Sequence, residues 1–345
     1  MAKKKATKKV PAAAKGKSKV RVCMVGCGGM ATGMHAASLA KFKDVEIVGI
    51  CDLVPERVKA LGDVAKVPDD RRHVSRQYDD YQAMIAKLKP DGVYAVGQPH
   101  IHYDIWHWCL SNGHNLYIEK PMGLTIHQAR MLAHLTEENN CITQTSHQRR
   151  SCPMLVMLRE KILERGPMIH SVCEFIKHGP SPMTGPRDHM MDDCTHSVDT
   201  VRWMCGGEVV EVESHCKRVG TPDINWIGTT IQFDNGSTGY VINSWCSGRR
   251  ILRVQMHGLG IYTDAEVEGK GYLYADGDYN GVEYDTRKIA DSDEARVFGG
   301  FESKNREFID SLKAGKVLTS SPFTDTVKTM EVCEVILAQA LLNGE

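Results

Sequence analysis

Apolar positions follow one rhythm in the first half of the chain and another in the second, with the change near residue 150. Up to that point, short continuous apolar runs at 20–25, 45–51, 91–96, 115–118 and 141–145 alternate with longer stretches in which apolar residues recur every three or four positions. Continuous runs of this length predict strands buried on both faces. The longer stretches predict helices at 31–42, 55–64, 80–88, 102–111 and 125–139, with Asn112-Gly113 as a stop signal after the fourth. A polar, Asp- and Arg-rich segment at 68–80 reads as irregular. Strands separated by helices in this way build a parallel, doubly wound α/β sheet.

After residue 150 a helix at 153–165 leads into a strand at 168–177, a Pro/Gly-rich loop at 179–187 and a helix at 192–205. Strand-like runs then come without helices between them, at 208–219, 226–234, 237–246, 251–257 and 260–267, and Asn235-Gly236 marks a hairpin. This half is predicted to be α+β, on an open, mostly antiparallel sheet. Residues 270–298 read only as weak strands and loop, and helices at 300–314 and 323–342 close the chain. The expected organisation is a basic tail at 1–19, a doubly wound α/β domain at 20–147 and an α+β domain at 148–345.

The first strand runs into Gly26-Cys27-Gly28-Gly29-Met30-Ala31, a G-x-G-x-x-A turn at the start of a helix. Gly26 suits the tight turn, Gly28 the close approach of a ligand to backbone, and Ala31 the packing of helix on strand. The free N–H groups and partial positive charge of such a helix start suit a pyrophosphate. The second strand ends in Asp52, placed to accept hydrogen bonds from an adenosine ribose, and its charge opposes the 2′-phosphate of NADP. The cofactor expected is therefore NAD.

Composition changes this picture in three places. The chain balances 43 basic against 43 acidic residues, but 1–19 holds eight lysines and no acid, a segment unable to bury enough surface to order itself. Solvation is its expected state, with nucleic acid no more than an incidental partner. No run is long enough to span a membrane, and the tail lacks the apolar core of a signal peptide. The twelve cysteines include no CxxC pair, which predicts free thiols in a reducing cytoplasm and no metal site.

Ligands of doubly wound sheets lie beyond the carboxyl ends of the strands. Gly97-Gln98-Pro99 with His102, Glu119-Lys120-Pro121, and Ser146 to Arg150 all fall there. With the glycine turn, and with Asp192 and His196 followed by Asp199, Arg202 and Trp203, these residues make the chain resemble the Gfo/Idh/MocA family of glucose–fructose oxidoreductase, inositol dehydrogenase and relatives. The resemblance covers nearly everything after the tail. It implies a Rossmann domain, a C-terminal domain for substrate and oligomerisation, and hydride transfer at a hydroxyl of a sugar, sugar derivative or cyclitol.

By the same resemblance Lys120 is the signature lysine, His196 the general base, and Asp192 the residue that orients it or binds a hydroxyl, with Asp199 fixing the ring. Gly26, Cys27, Gly28, Gly29, Met30, Asp52, Gln98, Pro99, His102, Glu119, Lys120 and Gln148 are the expected cofactor residues. Arg149, Arg187, His189, Asp192 and His196 are those expected at the substrate. Arg150 is expected to pair with surface acids, and Trp203, Trp226 and Trp245 to be core or interface. Cys194 departs from the family's usual glycine two residues before the histidine and is expected to narrow the pocket. A homodimer or homotetramer is implied. Two alternatives remain open: cleavage of a glycoside through transient oxidation with retained NAD, and a non-catalytic NAD-binding regulator.

Overall fold

The computed structural model describes residues 19–75, 80–179 and 189–343, and the side chains of 191 and 192 also fall outside the description. The expected tail up to residue 18, and residues 180–187 of the loop carrying Arg187, lie outside the described residues. Strands β1 (Val20–Val25), β2 (Val45–Asp52), β3 (Arg72–Val74), β4 (Gly92–Ala95), β5 (Leu116–Ile118) and β6 (Thr143–Thr145) form one parallel sheet in the order β3-β2-β1-β4-β5-β6. Winding reverses between β1 and β4, so the crevice beyond their carboxyl ends is the switch point where a ligand fits.

Three local features depart from the expectations. β3 arises inside the polar segment 68–80; it is a three-residue edge strand, half-exposed, and carries no apolar run to announce it. The helix expected at 31–42 opens with a π-helical segment, Ala31–Ala36, and continues as Ala37–Leu39. The helix expected at 102 starts at Pro99, which occupies the first turn where a missing N–H costs nothing.

The second sheet holds β7 (His170–His178), β8 (Val209–Lys217), β9 (Trp226–Phe233), β10 (Thr238–Ser247), β11 (Ile251–Gly258), β12 (Ile261–Glu266), β13 (Lys270–Ala275) and β14 (Val282–Asp285). Their order is β14-β13-β12-β11-β7-β10-β9-β8, and β7 with β10 is the parallel pair in an otherwise antiparallel array. Residues 270–298, read as weak strands and loop, supply β13, β14 and the short helices Thr286–Ala290 and Ala295–Phe298.

Two packed layers position the crevice. On one face of the first sheet, Met24, Ile50, Tyr94 and Tyr117 pack beneath the helix Phe301–Ala314, whose Phe308 ring stands 5.5 Å from Tyr94 and 5.6 Å from Tyr117. Gly92 admits this helix: a methyl group there would lie 2.7 Å from Leu312. The other face shares a continuous core with the second sheet, from Trp106 and Leu132 through Met154 to Phe175, Val201 and Ile231. All twelve cysteines are free, eleven of them buried. Among the described residues no helix is long and apolar enough to cross a membrane.

Candidate active site

A cavity of about 510 Å³ opens at the switch point. Its wall brings together Gly26, Gly28, Gly29, Met30, Asp52, Gln98, His102, Glu119, Lys120, Gln148 and His196 from the sequence-predicted set. Arg57, Ile101 and Phe301 also line it and had not been expected.

The glycine turn is shaped from both sides. Gly26 has φ +88°, and a Cβ there would sit 2.2 Å from the Val96 carbonyl oxygen and 2.8 Å from His102 Nε2. A Cβ at Gly28 or Gly29 would meet nothing within 4 Å, so their backbones face open space that a diphosphate needs. Cys27 turns its side chain away, its Sγ lying 3.7 Å from the Cys51 carbonyl oxygen, and contributes its backbone N–H, which donates to Asp52 Oδ2 at 2.7 Å. Val54 N–H donates to the other Asp52 oxygen at 2.9 Å. The carboxylate is thereby fixed at the end of β2, with lone pairs left for hydroxyl donors.

His102 packs beneath the turn. A Cβ on Gly97 would come within 1.9 Å of its Cε1, so that position must be glycine for the ring to fit. Burial pushes the His102 pKa down to about 4 and keeps the ring neutral. Pro99 is buried at the helix start rather than on the wall.

Glu119 and Lys120 follow β5, and the Lys120–Pro121 peptide is cis. His35, carried inward on the π-helical segment, contacts Glu119 Oε1 through Nε2 at 2.7 Å and Asn305 Oδ1 through Nδ1 at 3.2 Å. Burial alone would raise the Glu119 pKa, but the bond and charge of His35, with Ser146 and Lys120, together outweigh it and the carboxyl lies below its usual range. A π-helical turn is a common device at functional sites, and nothing in local residue spacing signals this one.

The second half supplies Gln148, from the short 3-10 helix Gln148–Ser151, and His196, from the helix Thr195–Cys205. The His196 ring is buried beside Phe175 (centroids 6.5 Å) and perpendicular to His147 (6.4 Å). Burial, then the positive charges of Lys120 and Arg149, hold its pKa well below the usual histidine value, so it is neutral near pH 7. Its Nδ1 has no hydrogen-bond partner among the described residues. Lys120 and His196, from opposite halves of the chain, thus open on one cavity.

Other predicted residues sit elsewhere. Asp199 does not fix the His196 ring: its carboxylate accepts two hydrogen bonds from Arg150, at 2.6 and 2.8 Å, and one from Thr329 at 2.9 Å. Arg150 correspondingly pairs with buried acid rather than surface acid, and reaches Asp325 at 2.6 Å. The reason is geometric, since a guanidinium fork matches a carboxylate with two parallel bonds. Asp193 accepts from Lys177 and from Trp245 Nε1, and His189 stacks on Trp245 at 4.2 Å. Trp203 and Trp226 carry Arg159 and Lys217 over their rings. Cys194 is buried and its thiol is pushed far up by burial, as befits an apolar packing residue. Arg149 is buried against Glu268, off the cavity wall. Asp192 lies in the π-helical turn Met190–Cys194, its side chain undescribed, and Arg187 is outside the described residues.

A polar network beneath the Gln148–Ser151 turn was also not expected. Ser151 donates to Glu307, which takes the buried Lys304 ammonium at 2.9 Å, and Lys304 in turn donates to Ser320 at 2.6 Å. Arg202 bonds Asp325 and Thr329, closing the ring around Arg150.

Residues 20–147 match the GFO/IDH/MocA oxidoreductase family with its NAD-binding Rossmann fold, and residues 184–260 match the C-terminal domain of the same family. The chain is 27% identical over 164 residues to Glycosyl hydrolase family 109 protein 1 of Akkermansia muciniphila, covering 46% of this chain and 34% of that one. It is 26% identical over 170 residues to the scyllo-inositol 2-dehydrogenase (NAD(+)) of Bacillus subtilis, covering 44% of this chain and 47% of that one. The chain therefore spans about a third to a half of the length of these curated relatives. In fold it resembles a dehydrogenase from Chromobacterium violaceum, with a TM-score of 0.82, 18% identity and coverage of 95% and 98%. A glycine turn open to a diphosphate, an acid fixed at the end of β2, and matches in both halves to one set of proteins lead to a single assignment: the chain belongs to the Gfo/Idh/MocA oxidoreductase family.

Proposed function

We propose that the protein is an NAD-dependent oxidoreductase acting on a ring hydroxyl of a sugar, sugar derivative or cyclitol. The observation that carries this reading is the meeting of Lys120, His196 and the open glycine turn in one cavity. The open backbone faces of Gly28 and Gly29 fit a dinucleotide diphosphate, and the fixed Asp52 carboxylate fits its ribose while opposing a 2′-phosphate. Gln98, His102, Glu119 and Gln148 continue the wall toward Lys120. When bound, NAD supplies the hydride acceptor.

The chain's own residues handle the proton and the charge. Neutral His196 accepts the hydroxyl proton. Lys120 donates a hydrogen bond to the same oxygen as negative charge builds on it. Asp192, Arg149, Arg187 and His189 are assigned to holding the ring. Changing Lys120→Ala should leave NAD binding within a few-fold, measured by calorimetry, while NADH production on a sugar and cyclitol panel falls about a hundredfold or more. Wild-type turnover in that variant would refute the role.

The likeness to a protein named as a glycosyl hydrolase favours a second reading with the same residues, in which NAD is retained and a glycosidic bond breaks after transient oxidation. Steady NADH release supports the first reading. Glycoside cleavage without net NADH supports the second.

A further inference from the structure

Arg149 follows Gln148 on the short helix at the cavity, and its side chain is nine-tenths buried. A buried guanidinium has five N–H donors and a charge to neutralise. Among the described residues Arg149 has one long contact, from Nη2 to Glu268 at 3.5 Å, and its buried Nε has no partner. Glu268 is already engaged by both terminal nitrogens of Arg250. With Glu268 committed to Arg250 at shorter range, the charge of Arg149 is only weakly matched.

That charge lies beside the site, one residue after Gln148 of its wall. The Phe175 ring that leans on His196 carries Lys177 Nζ at 5.1 Å and the Arg250 guanidinium at 5.5 Å, and Arg250 shares Glu268 with Arg149. Hydroxyls of a neutral ring would fill the vacant donors but leave the charge unmatched; an oxyanion satisfies both, and a planar carboxylate matches the fork of an arginine. We propose that Arg149 binds an anionic group of the substrate, a carboxylate or phosphoryl group on the sugar, so that the substrate class is an acidic sugar. This rests on the reading that the sugar ring lies against His196.

The test is titration calorimetry of the protein at saturating NAD with glucuronate, galacturonate, gluconate and glucose 6-phosphate, beside neutral glucose and galactose. At least one acid should bind about tenfold or more tightly than its neutral parent, the range for a charge-assisted hydrogen bond. Preference for the sugar acids over the phosphate, or the reverse, names the group. Arg149→Met should erase the preference while NAD binding persists. Glu268→Gln removes the competing negative charge and should tighten acid binding, which a merely structural arginine would not do.

No acid outbinding its neutral parent, or a preference that survives Arg149→Met, overturns the proposal. Should Arg149→Met fail to fold, unchanged or weaker acid binding by Glu268→Gln overturns it instead. Acid binding without NADH formation by any sugar would sink the redox reading and leave the oxyanion site standing.

Discussion

Replacing Asp199 by alanine removes the main acid partner of Arg150 and leaves a guanidinium buried. Breaking one partner of a buried ion pair costs about 3–5 kcal/mol. Asp325 still reaches Arg150 at 2.6 Å from a position one-third exposed, which argues for the lower end, about 3 kcal/mol. Urea denaturation followed by circular dichroism should show the midpoint falling by about 1 M or more, for a slope of roughly 2–3 kcal/mol per M. The double variant Arg150→Met/Asp199→Leu should recover most of that loss, because replacing both charges with apolar groups leaves neither unpaired.

The pH dependence has a defined sign. Burial alone would raise the Asp199 pKa, but Arg150 holds it far below the usual carboxylate range. Its contribution is therefore fully present above the unfolded value of about 3.9 and is lost as pH falls toward the lower folded value. The stability gap between wild type and Asp199→Ala should stay flat from about pH 5 to 8 and shrink only below about pH 4. A single-variant cost under about 1 kcal/mol, or a double variant as unstable as the single, would refute the reading of this pair as a buried ion pair that the fold depends on.

Gly28→Val should weaken NAD binding by about tenfold or more with little change in melting temperature, because the new side chain enters the open cavity; Gly26→Ala should instead destabilise the fold, since its Cβ would strike the Val96 carbonyl. Calorimetry and thermal unfolding separate the two, and equal NAD affinity in Gly28→Val would remove the turn from the binding site. Asp52→Ala should relax the preference for NAD over NADP, measured as a ratio of kcat/KM values, the more so because Arg57 shares that part of the wall; an unaltered ratio would mean the ribose is read elsewhere. For His196, burial and neighbouring cations disfavour the charged form, so the neutral base persists as pH drops below about 6.5 and the acid limb of the rate profile should lie lower than that. His196→Asn should abolish the limb, and a limb that survives the substitution would assign it to another group.

The parts of the fold legible in the sequence are those whose burial is two-sided or strictly alternating. β1, β2 and β4 are continuous apolar runs because helices or helix-bearing layers cover both their faces. β9 and β10 alternate because one face is buried, and the Asn235-Gly236 turn joins them as expected. β3 carries neither pattern, since Arg72, His73 and Val74 sit at an edge and are held by backbone pairing to Ile50, Cys51 and Asp52. β13 and β14 lie at the other sheet's edge and leave most of their side chains partly exposed, so their apolar signal is correspondingly weak.

The site divides along a different line. Gly28, Asp52, Lys120 and His196 were legible because each has a residue type that chemistry demands at a strand end or on a helix beside it. Their supports were not, because choice of partner is a competition settled in three dimensions. Asp199 lies three residues from His196, close enough along a helix to suggest an orienting role. Arg150, 49 residues away in sequence, wins by offering two N–H groups at 2.6 and 2.8 Å, while the nearest imidazole nitrogen, His147 Nδ1, stands at 3.5 Å. His35 reaches Glu119 across 84 residues in the same way, by virtue of a π-helical turn that no periodicity encodes. It follows that Asp199→Ala should disturb the turn bearing Gln148 and Arg149 before it disturbs His196: NAD affinity and acidic-sugar affinity should weaken in that variant while the acid limb attributed to His196 stays in place.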